Sequence, residues 1–125
     1  MINIQTEVSA GELLDKISIL EIKQEKINDF KKLQEIQKEL FILRKTSLLL
    51  EGSDTWIKKI KEVNSRLWKI EDDIRDKERK KEFDQEFIEM ARSVYFTNDQ
   101  RFNIKNEINI YYKSNILEQK NHEKY

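Results

Sequence analysis

The sequence predicts a mainly α-helical protein, a bundle of about four to five helices, with room for one short strand at the N-terminus. Three observations point there. Proline is absent and glycine occurs only at Gly11 and Gly52, so the turn chemistry that a multi-stranded protein needs is missing. Apolar residues recur at spacings of three and four over most of the chain. The 125 residues also suffice for one core burying roughly two-thirds of the unfolded surface. The expected organisation is therefore a single helical domain over 1–125, with 1–8 as the candidate strand and 110–125 as a tail.

In the opening segment Ile2, Ile4, Thr6 and Val8 alternate with polar residues, the period of a strand. Such a strand would need a partner, for which a second subunit is one source. Ser9 then supplies an N-cap and Glu12 completes a capping box, with Val8 and Leu13 as a hydrophobic staple. A helix is predicted from about Ala10 to Ile27. Its apolar residues, Leu13, Leu14, Ile17, Ile19, Leu20 and Ile22, spread over more than one stripe, which places it near the centre of the bundle. Asn28 and Asp29 offer a cap or kink before a second periodic segment carrying Phe30, Leu33, Ile36, Leu40 and Leu43 and ending near Leu50.

Glu51, Gly52, Ser53 and Asp54 form the clearest loop, and Ser53 or Asp54 is the expected cap of a third helix running to about Lys80. There Trp56, Ile60, Val63, Leu67, Ile70 and Ile74 make a packing seam of five turns. Beside it lies a second row, Asn64, Trp68, Glu71, Arg75 and Glu78, predicted at the edge of the core. Phe83 and Asp84 give a staple and cap for the last long helix, with Thr97, Asn98 and Asp99 as the place where it would break.

Composition narrows the function. Without cysteine there is no thiolate metal site or thiol nucleophile. No apolar run approaches the roughly 20 residues that span a bilayer, and the opening lacks the basic start and apolar stretch of a signal peptide; membrane association is not expected and a cytoplasmic location is. Basic and acidic residues balance at 24 each, so the overall field that draws proteins to nucleic acid is absent. Phosphate-cradling glycine loops and nucleophile elbows are missing too.

The candidate site rests on helical geometry. If the last helix is continuous, Asn98, Arg101, Lys105 and Asn109 lie near its apolar face, where charges need partners. Glu71, Asp72 and Glu78 on the third helix are the candidates, with Asp15 or Glu21 of the first helix as a further contributor. Glu12 and Lys16 read as an ordinary i,i+4 pair, as do Glu71 and Arg75. An Arg, a Lys and two amides converging on carboxylates make a pocket for a small polar or anionic molecule; the same residues would equally make an internal salt-bridge network. A Mg²⁺ site on Glu71 and Asp72 is disfavoured by Arg75 in the same row, so no metal and no cofactor is expected.

The segment from Gly11 to Lys23, the segment from Asn64 to Arg75, the run Ala91-Arg-Ser-Val-Tyr95 and the run Asn98-Asp-Gln-Arg101 resemble the signature of a family of short bacterial and phage proteins of unknown function. The resemblance spans nearly the whole chain. It implies a polar signature that includes Asp15, Glu71, Asp72, Arg75, Arg92, Asn98, Asp99, Arg101, Lys105 and Asn109. Because such relatives are often encoded beside glycan-biosynthesis genes, it also implies a sugar-nucleotide or glycan setting. Gln119 and His122 depart from it, standing where relatives carry an acidic residue and an aromatic.

The leading expectation is an accessory or ligand-binding protein whose interior charged cluster takes a small anionic or sugar-like ligand. On that view alanine at Arg101 abolishes binding and spares the fold. The alternative is an interaction module or homo-oligomer with purely structural salt bridges. A small all-α enzyme would need Glu71, Asp72 or Asp99 as acid or base, and no pattern names a reaction.

Overall fold

The computed structural model describes residues 1–122; the end of the expected tail, 123–125, lies outside the described residues. Among the described residues four helices follow in order: α1 Ala10–Lys26, α2 Phe30–Ser47, α3 Ser53–Arg79 and α4 Gln85–Tyr111. Residues 1–8 form no strand. Their alternation has no neighbouring strand to pair with, and a lone strand leaves its backbone groups to water.

The start of α1 is buried, and its free N–H groups find side-chain acceptors. Ser9 Oγ accepts from the Glu12 N–H at 3.1 Å, Asn109 Oδ1 from the Gly11 N–H at 2.6 Å, and Ser114 Oγ from the Ala10 N–H at 2.9 Å. Three of the four orphan donors of a helix N-terminus are thus satisfied, two of them by the far end of the chain. Gly11 permits this approach, because a Cβ there would stand 2.5 Å from the Lys105 carbonyl oxygen.

α1 crosses the α3–α4 hairpin obliquely. Gly11 lies against α4 at Lys105 and Asn109, Asp15 meets both Asn64 and Arg101, and Glu21 and Glu25 meet Lys61 on α3 at 3.2 and 2.6 Å. Its several apolar faces are used as the sequence predicts: Leu14, Ile17, Leu20 and Ile22 are buried. α2 packs on the far side of α1 through Ile36 and Leu40. Lys16 pairs with Glu39 of α2 at 3.0 Å, while Glu12 reaches Lys105 at 2.8 Å. The predicted Glu12–Lys16 pair gives way to these two interhelical ones: the buried Lys105 ammonium needs a carboxylate and takes Glu12, which leaves the exposed Lys16 to pair with Glu39.

Length decides the rest. α1 has 17 residues and α3 and α4 have 27 each, roughly 25 Å against 40 Å at 1.5 Å per residue. The hairpin therefore projects beyond α1 as a two-helix arm, and no residue from 65 to 96 is buried. The seam is closed at Ile60 and Val63 but only half-covered at Leu67, Ile70 and Ile74. Glu71, Arg75 and Glu78, expected at the edge of the core, are exposed for the same reason.

The N-cap of α3 is Gly52, in the left-handed region at φ 75° and without a side-chain cap bond, so neither Ser53 nor Asp54 caps it. α4 starts as predicted, with Asp84 Oδ1 accepting from the Phe87 N–H at 2.9 Å and Phe83 packed edge-on against Phe87. It does not break at Thr97–Asp99: Thr97 is buried, and the helix runs on to Tyr111.

At the arm tip the Lys77 ammonium sits among Glu82, Asp84 and Glu86 at 3.3, 2.9 and 3.4 Å. Its hydrogen bond, with that from the Phe87 N–H, holds the Asp84 carboxyl below the usual carboxylate range. A depressed pKa contributes stability that is complete above the unfolded value of 3.8 and is lost as pH falls through the folded value. Asp84→Asn should therefore lower the melting temperature at pH 7, and the wild-type and variant curves should converge as pH falls through the folded value. Thermal unfolding followed by circular dichroism across that range checks this; a gap that persists at low pH would remove Asp84 as its source.

Candidate functional site

Where α1 leaves the hairpin, a cleft of about 630 Å³ opens between α1, α3 and α4. Ile19, Ile22 and Leu67 give it an apolar lining, and Trp68 adds an aromatic face. Its polar groups are Asn64, Glu71, Asp72 and Arg75 from α3 with Asn98 and Arg101 from α4. Four, three and four residues separate Asn64, Trp68, Glu71 and Arg75, which keeps them on one helix face. Continuity of α4 through Asn98 does the same for Asn98 and Arg101.

Arg101 is fixed before any ligand arrives. Its Nε donates to Asp15 Oδ1 at 2.9 Å and its Nη2 to Oδ2 at 2.5 Å, a planar two-point pairing that only Arg can make. The Asp15 hydrogen bonds hold the guanidinium pKa above its ordinary value against the opposing effect of burial. Asp15 is 1 % exposed and accepts a third bond at Oδ1 from Asn64 Nδ2, at 2.9 Å. The same amide nitrogen donates to Ser18 Oγ at 2.8 Å, and the Ser18 hydroxyl donates to the Asp15 carbonyl at 2.7 Å. With Asp15 satisfied this way, Nη1 of Arg101 makes no hydrogen bond among the described residues. Of the carboxylates expected around Arg101, Asp15 of the first helix is the one that meets it, because it lies on the helix that covers Arg101, whereas Glu71, Asp72 and Glu78 lie on the exposed arm.

Glu71, Asp72, Arg75, Asn98 and Arg101 thus share one cleft, with Asp15 directly behind. The Glu71–Arg75 pair forms along α3 at 3.5 Å and is exposed. Lys105 is buried beside a second cavity and paired with Glu12 and with Glu118 of the tail, at 2.8 and 2.5 Å. Burial works to lower its pKa, but the bonds to Glu118 and Glu12 outweigh that and raise it. Asp99 pairs with Lys120 of the tail, so it faces the tail rather than the cleft. Asn109 caps α1, and Arg92 is exposed on α4 outside the cleft.

Residues of the tail that border the second cavity, Glu118, Lys120 and His122, carry no periodic signal and could not be placed from sequence. Ser18 had a weak signal, a hydroxyl three residues after Asp15 on the central helix. Among the described residues no group of three or more His, Asp or Glu side chains could hold a metal ion, and no helix is long and apolar enough to cross a membrane.

A model of DUF6165, a family of unknown function, matches residues 4–124. The chain belongs to that family. The DUF6165 match includes all four helices and both cavities, so the Asp15–Arg101 pair and the cleft lie within the family's own extent. No curated protein and no solved structure matches the chain.

Proposed function

We propose that the chain is a ligand-binding or accessory protein, in a glycan-biosynthesis setting, whose cleft takes a small sugar-like molecule. The observation that carries this reading is the convergence of Trp68, Asn98 and a preset Arg101 guanidinium on one concave surface. The cleft volume falls within the range of roughly 300–1,000 Å³ of small-molecule sites, and it combines an apolar lining with a few convergent polar groups as such sites do. Two cations, Arg75 and Arg101, and two carboxylates, Glu71 and Asp72, border it. A hydroxyl-rich ring matches this mixture of donors and acceptors, with one apolar face of the ring laid on the Trp68 indole.

Thermal unfolding against a panel of neutral sugars, sugar phosphates, sugar nucleotides, shikimate-type acids and divalent metals tests the reading. A ligand at 100 times its dissociation constant stabilises by about 2.7 kcal/mol, a shift of several degrees for a domain of this size. The shift should disappear in Trp68→Ala and shrink in Arg75→Ala. Arg75 is exposed, so its variant should keep the melting temperature of the free protein within about 2 °C. A panel without any shift would count against the proposal.

A second reading is favoured by the apolar surface. Leu48 and Leu49 are each 84 % exposed, and Ile110 and Tyr111 are also exposed. Tyr112, next in sequence, donates its hydroxyl to the Glu51 carbonyl, which brings these segments to one end of the molecule. Exposed patches of this kind mark interaction surfaces, and on this reading the protein self-associates there. Sedimentation giving a strict monomer at high concentration would refute it.

A further inference from the structure

We infer that the cavity on the tail side of Arg101 is an oxyanion subsite of the cleft and that Glu118 is its built-in occupant. The inference rests on reading the cleft as a ligand site, and it extends the ligand class to a sugar-like body bearing a phosphate or carboxylate group. Cleft and cavity share Asn98 and Arg101, so one ligand lying across those residues reaches both. The cavity measures about 250 Å³, and among the described residues it is bordered by three cations, Arg101, Lys105 and Lys120, against the single carboxylate of Glu118. Arg101 and Lys120 are each matched by a carboxylate outside the cavity lining, Asp15 and Asp99.

Lys105 is the exception. It is 6 % exposed, and its ammonium is held by two carboxylates, Glu12 on α1 and Glu118 on the tail. One carboxylate neutralises a buried ammonium, so the second fills a place that another oxyanion can take with the same hydrogen bond and at least the same negative charge. The segment carrying Glu118 forms no helix beyond Tyr111; among the described residues it is also held by Ser114 at Ala10 and Asn109, by Asn115 at Glu7, and by Lys120 at Asp99 and over the Phe102 ring. Exchange of Glu118 for a ligand oxyanion leaves Glu12 in place and needs only a local movement of this segment.

The test titrates inorganic phosphate and, separately, acetate into the full chain and into Glu118→Gln, at constant ionic strength set with chloride, and follows backbone amide signals by NMR. Glu118→Gln should bind at least one of the two oxyanions about tenfold or more tightly than the wild type, because the competing carboxylate is gone. The shift changes should centre on Asn98 and Lys105. Equal affinities in the two proteins, or changes scattered over surface lysines, overturn the subsite. Lys105 keeps Glu12 in this variant, and an unfolding curve verifies that the fold is retained. The neutral-sugar response is measured in the same variant: if it survives without any gain for oxyanions, the subsite fails and the cleft stands, and if both are absent the cleft reading fails as well.

Discussion

Arg101→Ala is expected to destabilise the protein by about 3–5 kcal/mol, because it leaves Asp15, only 1 % exposed, as a buried carboxylate without its counter-ion. The Asn64 amide still donates to it, but one neutral hydrogen bond does not replace a two-point guanidinium. Denaturant unfolding measures the loss. A double variant, Asp15→Leu with Arg101→Met, should recover most of it, since both charges leave together and the site is refilled with apolar volume. A loss under about 1 kcal/mol in the single variant would mean that Asp15 does not depend on Arg101. This changes how the residue can be used experimentally: alanine at Arg101 confounds binding with folding, contrary to the expectation from sequence, and Trp68 and Arg75 are the cleaner probes.

Gly11→Ala should be nearly as damaging, by about 2–3 kcal/mol, even though alanine is the better helix former by up to about 1 kcal/mol. The added Cβ would meet the Lys105 carbonyl oxygen at 2.5 Å and Asn109 Oδ1 at 2.8 Å, and the first of these is backbone that cannot rotate away. The start of α1 would have to lift from α4, weakening the hydrogen bonds from the Ala10 and Gly11 amides. Gly52 is the natural control: a Cβ there meets nothing within 4 Å, so Gly52→Ala should lose only the cost of the left-handed backbone, about 1–2 kcal/mol. Melting temperatures of the two variants decide the point. Equal losses would show that Gly11 is not needed for close approach.

The helices were legible in the sequence because their signals are local. The Ser9 cap, the Asp84 cap and the multi-sided apolar pattern of α1 all read correctly, and α1 is central as that pattern requires. The ends of α3 and α4, at Arg79 and Tyr111, fall within two residues of the expected ones, although the left-handed residues that follow them are Lys81 and Lys113 rather than glycine. What the sequence could not give is which helix is shorter in space than its neighbours need. The row Asn64, Trp68, Glu71, Arg75 reads as one stripe, yet α1 covers only its beginning, so Asn64 is buried and Arg75 is not. Asp15 was among the carboxylates the sequence offered to Arg101, but periodicity could not choose it over Glu71, Asp72 and Glu78: it lies 86 residues away, and the oblique crossing of α1 over the hairpin brings it there.

The most direct measurement uses the two tryptophans. Trp68 lines the cleft, whereas Trp56 packs against Tyr111 near the other end of the hairpin. Their indole N–H signals, assigned with Trp68→Phe, are followed by NMR while a stabilising sugar-like ligand is added. The Trp68 signal should move saturably and the Trp56 signal should stay in place. Movement of Trp56 alone, or an unmoved Trp68 signal with a ligand that raises the melting temperature, would contradict the cleft as the ligand site.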